Sequence, residues 1–270
     1  MSTSTPKKTA TTKAARRDRR RRRLRLAGLV VLSLCLAGAW VWQRTLPVSR
    51  VEVVGAVHAD SSGVVRLTGV VPDSAALFSL SPALLADRAQ RHPWVRRAHV
   101  RRMPTGTLRV RVEERTPVAL VMADGRPDHF LDTEGYAMPV VAGAVYDLPL
   151  LTGAVPAYHP TQRVSSASLR ELLLALGQAD AATDALVSEI DWRPGRITLW
   201  TSPAGGQSTI PVRLGRSGYA DALGRLRAFW DQSVLPRPET AFQLVDLRFR
   251  GQVVTQETPP DSTARSAALL

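Results

Sequence analysis

A single cysteine, Cys35, is all the thiol this chain carries. No disulfide can close within it and no cysteine-based metal site can form. Cys35 sits in an apolar run, where a lone thiol serves as a small apolar filler. The five histidines, His58, His92, His99, His129 and His159, are scattered without metal-ligand spacing. The sequence also has no phosphate-cradling glycine loop, no HExxH and no GxSxG. Glu113 and Glu114 are neighbours on a stretch that reads as strand, so they point to opposite faces and do not form a cooperating carboxylate pair. Asp128, His129 and Ser166 are the residue types of a hydrolytic triad, but no pattern orders them. The sequence therefore points to a protein with no catalytic centre, no cofactor, no metal and no small-molecule substrate.

Charge is concentrated at one end. Of the formal net +13, residues 1–25 supply three lysines, eight arginines and one aspartate, a net of +10, which leaves +3 for residues 26–270. The excess belongs to a tail rather than to a folded basic face, so no nucleic-acid partner is expected.

The stretch from Leu26 to Trp42, LAGLVVLSLCLAGAWVW, lacks charge altogether. As a helix rising about 1.5 Å per residue it covers roughly 25 Å, slightly short of a hydrocarbon core of about 30 Å. Arg25 and Arg44 flank it, and long arginine stems reach up to the interface. Trp40 and Trp42 cluster at its C-terminal end, where an aromatic belt sits. The arginine run before it holds that end in the cytoplasm, so residues after about 45 face outward, and the same run can touch anionic lipid. Ala37-Gly38-Ala39 resembles a signal-peptidase site, but the apolar stretch continues through Trp42, which suits an uncleaved anchor. Leu32-Ser33-Leu34-Cys35 faintly resembles a lipoprotein signal, against which the bulky Leu34 argues. Residues 1–15 are of low complexity without apolar periodicity and are expected to be disordered.

Beyond the membrane, Val48 to Val54 reads as a strand ending at Gly55. Asp60 or Ser61 caps a short helix through Leu67, closed by Gly69. Ser81-Pro82 starts a second helix, with a capping hydroxyl and then proline at the first helical position; it must end before Pro93. Val95 to Val100 reads as a strand. In Leu108 to Val112 apolar residues alternate with Arg109, Arg111 and Glu113, the pattern of a half-buried strand, and residues 103–106 supply the turn before it. The order β-α-α-β-β gives one sheet with two helices on one face, a small α+β domain.

Pro117 marks the next boundary. Val118 to Met122 and His129 to Leu131 read as strands around an Asp124-Gly125 turn, and Asp132 to Gly135 is a further turn. Leu169, Leu172, Leu173 and Leu176 form a helical stripe that Gly177 is expected to end. Ile190 to Trp192 and Ile197 to Trp200 flank a hairpin at Arg193-Pro194-Gly195-Arg196. Thr209 to Leu214 is another strand, Leu223, Leu226 and Trp230 recur at helical spacing, and Phe242 to Phe249 with Gln252 to Thr255 form a closing strand pair around Gly251.

Residues 92–119, HPWVRRAHVRRMPTGTLRVRVEERTPVA, resemble the POTRA-plus-linker signature of the FtsQ/DivIB division proteins, written PWVxxAxVxRxxPxTLxVxVxERxPVA. Leu77-Phe78-Ser79-Leu80 matches the LFxL element before it. Pro211-Val212-Arg213-Leu214-Gly215 and Val245-Asp246-Leu247-Arg248-Phe249 resemble the family's V-x-L-G and V-D-L-R strands. The likeness spans roughly residues 24–255 and includes the membrane topology read above. Physics accounts for several of these residues without function: Pro93 stops a helix, Trp94 plugs the seam between helix and sheet, and Arg115-Thr116-Pro117 sets a short, stiff junction.

The resemblance implies a basic cytoplasmic tail (1–25), a transmembrane helix (26–45), a POTRA-like domain (48–116), a larger α+β domain on an antiparallel sheet (117–255) and a flexible tail (256–270). It implies a bitopic, non-catalytic scaffold of the divisome at the septal inner membrane. Expected partners are FtsB- and FtsL-type membrane proteins, with other divisome proteins on the POTRA-like domain. The partner site is expected at the closing strands, on Val245, Leu247, Arg248, Phe249, Gly251 and Val253. Alternation would place Val245, Leu247 and Phe249 on one face and Asp246, Arg248 and Arg250 on the other, with Arg248 free to grip a partner carboxylate. Two rivals remain. A membrane-anchored cell-wall hydrolase or transferase lacks its catalytic constellation here. A POTRA-bearing outer-membrane assembly or secretion protein needs a long β-barrel that 270 residues do not contain.

Overall fold

The computed structural model describes residues 10–143, 145–203 and 208–257. Helix α1 runs Ala10–Thr45, and its Arg22–Trp42 portion, with hydropathy 2.0 and no burial, is long and apolar enough to cross a membrane. The disorder expected of residues 1–15 does not extend to 10–15, which continue the helix. Ala, Lys and Arg are good helix formers, and an existing helix adds residues without a new nucleus. The rest of that stretch and residues 258–270 lie outside the described residues.

The small domain contains β1 (Arg50–Val54), α2 (Ser61–Thr68), a 3₁₀ turn at Leu77–Ser79, α3 (Pro82–Ala89), β2 (Val95–Arg102) and β3 (Thr107–Glu114). Its sheet order is β1-β3-β2, with β1 parallel and β2 antiparallel to the central strand. The helix boundaries follow from local chemistry. The Asp60 carboxylate accepts from the Ser62 and Gly63 amides, and Gly69 closes α2 in the left-handed region at φ 69°. Ser81 caps α3 by accepting from the Leu84 amide, with Pro82 next. Leu108, Val110 and Val112 on β3 are buried beneath Val64, Leu85 and Ala89 of the two helices. Leu46, only four residues past Trp42, accepts from the Leu77 amide and packs with Val48 and Leu77. The small domain is thereby pinned to the end of α1.

The larger sheet has nine strands: β4 (Pro117–Ala123), β5 (Arg126–Asp132), β6 (Ala137–Pro139), β7 (Leu150–Gly153), β8 (Val187–Arg193), β9 (Arg196–Thr201), β10 (Pro211–Leu214), β11 (Phe242–Asp246) and β12 (Val254–Glu257). Their order is β12-β11-β10-β9-β8-β7-β4-β5-β6. Pairing is mainly antiparallel, with β4–β7, β7–β8 and β10–β11 parallel. Helices α4 (Ala167–Gln178) and α6 (Tyr219–Phe229), with the short α5 (Ala181–Asp184) between them, supply the other layer. The Leu169, Leu172, Leu173 and Leu176 stripe and the Leu223, Leu226 and Trp230 stripe all enter one core. Gly177 does not end α4, which runs on to Gln178. Its lack of a side chain serves packing instead: a Cβ there would lie 2.2 Å from Thr133 Cγ2.

The two sheets share an apolar cluster. Trp94, 1% exposed, does more than plug a seam within the small domain. Its indole donates to the Pro139 carbonyl at 3.2 Å and meets Phe130 edge-on, both on the larger sheet. The junction is correspondingly locked. Arg115 Nη1 lies 2.7 Å from Asp132 Oδ2, with side chains 9% and 4% exposed, and the guanidinium stacks on Tyr136 at 3.9 Å.

Candidate partner-binding edge

The six residues expected to meet a partner do not form one surface. β11 lies between β10 and β12, so it is an interior strand. Val245 is 1% and Leu247 2% exposed, and both belong to the core. The expected alternation fails because β11 stops at Asp246. The Leu247 amide then donates to the Arg213 carbonyl at 2.9 Å, and Arg225 of α6 donates to the Leu247 carbonyl at 2.9 Å. Val245, Asp246 and Leu247 are all buried in succession.

Arg248 is engaged within its own turn. It grips its own Asp246, with Nε to Oδ1 at 2.9 Å and Nη2 to Oδ2 at 2.6 Å. That bidentate contact holds the Asp246 carboxyl below the ordinary range, against the opposing effect of burial. The same guanidinium sits 5.8 Å from the Phe249 ring centroid. Phe249 is 51% exposed, an apolar ring presented to solvent beside a fixed cation. Gly251, at φ 69°, completes the turn that returns the chain, and Val253 packs partly against the core.

The open edge is the strand that follows. β12 pairs with β11 through Val254 opposite Asp246, Thr255 opposite Val245 and Gln256 opposite Leu244. Among the described residues no strand covers its other side. Alternate residues of such a strand present unpaired N–H and C=O groups. Val254 is 46% exposed, and Glu257 lies 3.6 Å from Arg237. Val254 to Glu257 therefore belong to the candidate site beside Phe249. The strand itself is legible from the sequence, but its edge position depends on the sheet order. At the opposite end β6 is three residues long and ends in Pro139, whose carbonyl Trp94 occupies. That edge is closed.

The residue types of a triad are not assembled. His129 is 1% exposed and its Nδ1 contacts Asp128 at 2.6 Å. The Ser166 hydroxyl is engaged as the α4 cap, accepting from the Leu169 amide at 3.2 Å. Glu113 and Glu114 face apart: Glu113 lies exposed near Arg97, while Glu114 accepts from the amides of Val57, His58 and Ala59.

The family comparison agrees with this architecture. Residues 46–115 match the POTRA domain of FtsQ type, and residues 116–256 match the FtsQ/DivIB C-terminal related model. A cell division protein FtsQ of Rhodothermus marinus is 48% identical over 92% of this chain and 91% of its own length. That of Salinibacter ruber is 40% identical over 88% of this chain and 92% of its own. The extracytoplasmic domain of the division protein DivIB from Geobacillus stearothermophilus overlaps 45% of this chain and 98% of its own at 19% identity and a TM-score of 0.30, too loose a fit to add to the fold. Two matched domains in the same order, and relatives covered nearly end to end, establish that this chain belongs to the FtsQ/DivIB family of cell division proteins.

Proposed function

We propose that this chain is a single-pass scaffold of the division machinery, without catalysis of its own. It joins membrane division proteins of the FtsB/FtsL type outside the membrane and so supports septum assembly and septal peptidoglycan synthesis. Helix α1 anchors it in the cell membrane at the septum, with the arginine-rich end in the cytoplasm and both sheets outside. The small domain remains available to further division proteins.

The observation that carries this reading is the uncovered β12 edge beside the exposed Phe249 ring. A partner strand laid along Val254–Glu257 gains main-chain hydrogen bonds, and its alternate side chains are selected by Phe249 and Val254. Arg248 contributes by holding the turn, through Asp246, rather than by reaching the partner. In the full chain in detergent, adding such a partner should slow amide exchange at residues 254–257. Phe249→Ala should weaken binding by about 1–2 kcal/mol if the ring is an anchor. Arg248→Gln tests the turn more gently than charge reversal, which would set a second carboxylate against Asp246. Unchanged affinity in both folded variants, with unchanged exchange at β12, would remove the site from this edge.

A further inference from the structure

The small domain follows α1 with no linker to lift it off a bilayer. The Leu46 amide still donates to the Trp42 carbonyl at 3.0 Å, so helical bonding continues one turn past the aromatic belt. At about 1.5 Å per residue, Leu46 stands roughly 6 Å beyond Trp42. That falls within the interfacial layer, which occupies about 5–8 Å on each side of the hydrocarbon core. The first bonds of the domain are made at this level. The Leu46 carbonyl accepts from the Leu77 amide at 2.8 Å, and the Val48 carbonyl accepts from the Asp73 amide at 2.8 Å. The Ser49 amide donates to the Gly106 carbonyl at 2.8 Å. Two turns are thereby fixed beside the helix end: Val71–Ser74, closed by the Ser74 amide on the Val71 carbonyl, and Met103–Gly106, closed by the Gly106 amide on the Met103 carbonyl.

Both turns present apolar tips. Val71 is 63% exposed, Pro72 and Pro104 are exposed, and Met103 is half-buried. The core beneath does not use Val71, being filled by Val48, Val70, Leu77, Leu85 and Leu108. Arg50 and Arg102 flank the turns. Arg50 donates to the Thr107 hydroxyl and Arg102 lies over the Phe78 ring, and neither has an ion-pair partner among the described residues. Asp73 is the one carboxylate in either turn. Apolar tips with arginines behind them suit an interface whose acyl boundary is apolar and whose headgroups carry phosphate.

We propose that the Val71–Ser74 and Met103–Gly106 turns dock on the outer surface of the bilayer that α1 spans. Val71, Pro72, Met103 and Pro104 enter the headgroup layer, and Arg50 and Arg102 meet lipid phosphates. The occupant is lipid because the helix end sets both turns at lipid-headgroup level. The contact is small, but α1 already holds the turns at the surface. It is therefore an intramolecular second attachment, which needs little affinity of its own. Two attachments fix the tilt of the small domain and, through the locked Arg115 junction, the direction in which the larger sheet is presented. This inference rests on α1 being an uncleaved membrane anchor.

The test uses the full chain with Cys35→Ser in nanodiscs of phosphatidylcholine. Trp42→Cys, Ser74→Cys, Thr105→Cys and Val145→Cys, one at a time, each carry a fluorophore, and a lipid with a nitroxide high on its acyl chain is the quencher. Position 42 reports the anchor, 74 and 105 the two turns, and 145 a surface of the larger domain. Quenching should be strong at 42, 74 and 105 and absent at 145. Val71→Glu sets a carboxylate at the lipid boundary without entering the core. The fold should persist by circular dichroism, while quenching at 105 falls by about half or more. Quenching at 42 alone overturns the proposal and leaves the anchor standing, whereas no quenching at 42 overturns both. Equal quenching at 145 means that the outer part lies flat on the bilayer, which overturns a contact confined to these turns. Unchanged quenching at 105 in a folded Val71→Glu chain overturns it as well.

Discussion

Glu114 ends β3 as the anchor of a loop. Its carboxylate accepts from the Val57 and Ala59 amides at 2.7 Å and the His58 amide at 2.8 Å, and it lies 3.0 Å from the His58 ring. Burial pushes this carboxyl up, but the amide bonds and the His58 contact outweigh it and hold it below its ordinary value of 4.5. A carboxyl whose folded pKa is depressed stabilises the fold above its unfolded value and loses that contribution as pH falls through the folded one. Glu114→Gln should therefore cost about 1.5–3 kcal/mol at neutral pH, the range for hydrogen bonds to a charged group. The gap from the parent chain should close as pH drops below about 4.5, the unfolded reference. Urea titrations of both proteins at neutral and acid pH check this; a gap that stays constant with pH would mean the charge is irrelevant. Trp94 offers a second test at this scale. With the ring 1% exposed, Trp94→Ala should lower stability by about 3–5 kcal/mol, read from denaturant unfolding. Its burial is legible in the sequence as an aromatic after a helix-stopping proline. Its contact with Pro139 is not, because nothing local relates residues 45 positions apart.

At the scale of elements, period-two and period-3.6 patterns identify most strands and helices because each buries only one face. Leu108, Val110 and Val112 on β3, and the leucine stripe of α4, are direct cases. β6 and β7 are not legible in this way. They are three and four residues long, too short for a period to show, and the partners of β7, β4 and β8, come from distant parts of the chain. Gly177 exposes a different limit. A glycine late in a helical pattern resembles a terminator, yet here it is the contact that lets α4 approach the 132–135 turn. Gly177→Ala improves helix propensity, but its Cβ meets Thr133 Cγ2 at 2.2 Å and Val118 Cγ1 at 3.2 Å. The overpacking should outweigh the propensity gain, for a net loss of about 1–3 kcal/mol. Thr133→Ser removes the Cγ2 methyl, so the double variant should recover most of that loss. A thermal melt in which Gly177→Ala matches or exceeds the parent chain would show that the turn yields at no cost.

For the whole molecule, the candidate site was legible only to within one turn of the chain. The closing strands are visible as sequence, but which of them is the edge follows from the parallel β10–β11 pairing, a long-range fact. The junction presents the same contrast. Arg115-Thr116-Pro117 reads as a stiff connector, whereas the structure makes it the centre of an interface. Arg115 is buried between Asp132 and Tyr136, the Arg115 amide donates to the Trp94 carbonyl at 2.9 Å, and Arg96 meets Glu134 at 2.8 Å. With Trp94, Phe130 and Met138 in one apolar cluster, neither sheet can unfold without exposing surface of the other. The two domains of the full chain in detergent should therefore unfold in a single transition, with coincident loss of near- and far-ultraviolet circular dichroism. Arg115→Ala leaves Asp132 buried without its cation, a change that costs about 3–5 kcal/mol when a buried pair is broken on one side. Because that loss falls on the interface, it should also separate the transition into two, the small domain and the larger sheet melting independently. The surface pair is the internal control: Arg96→Ala, at a contact whose side chains are 46% and 42% exposed, should cost less than about 1 kcal/mol and keep one transition. If Arg115→Ala also melts in one step, the coupling resides in the Trp94 cluster, and Trp94→Ala must then be the variant that divides the molecule.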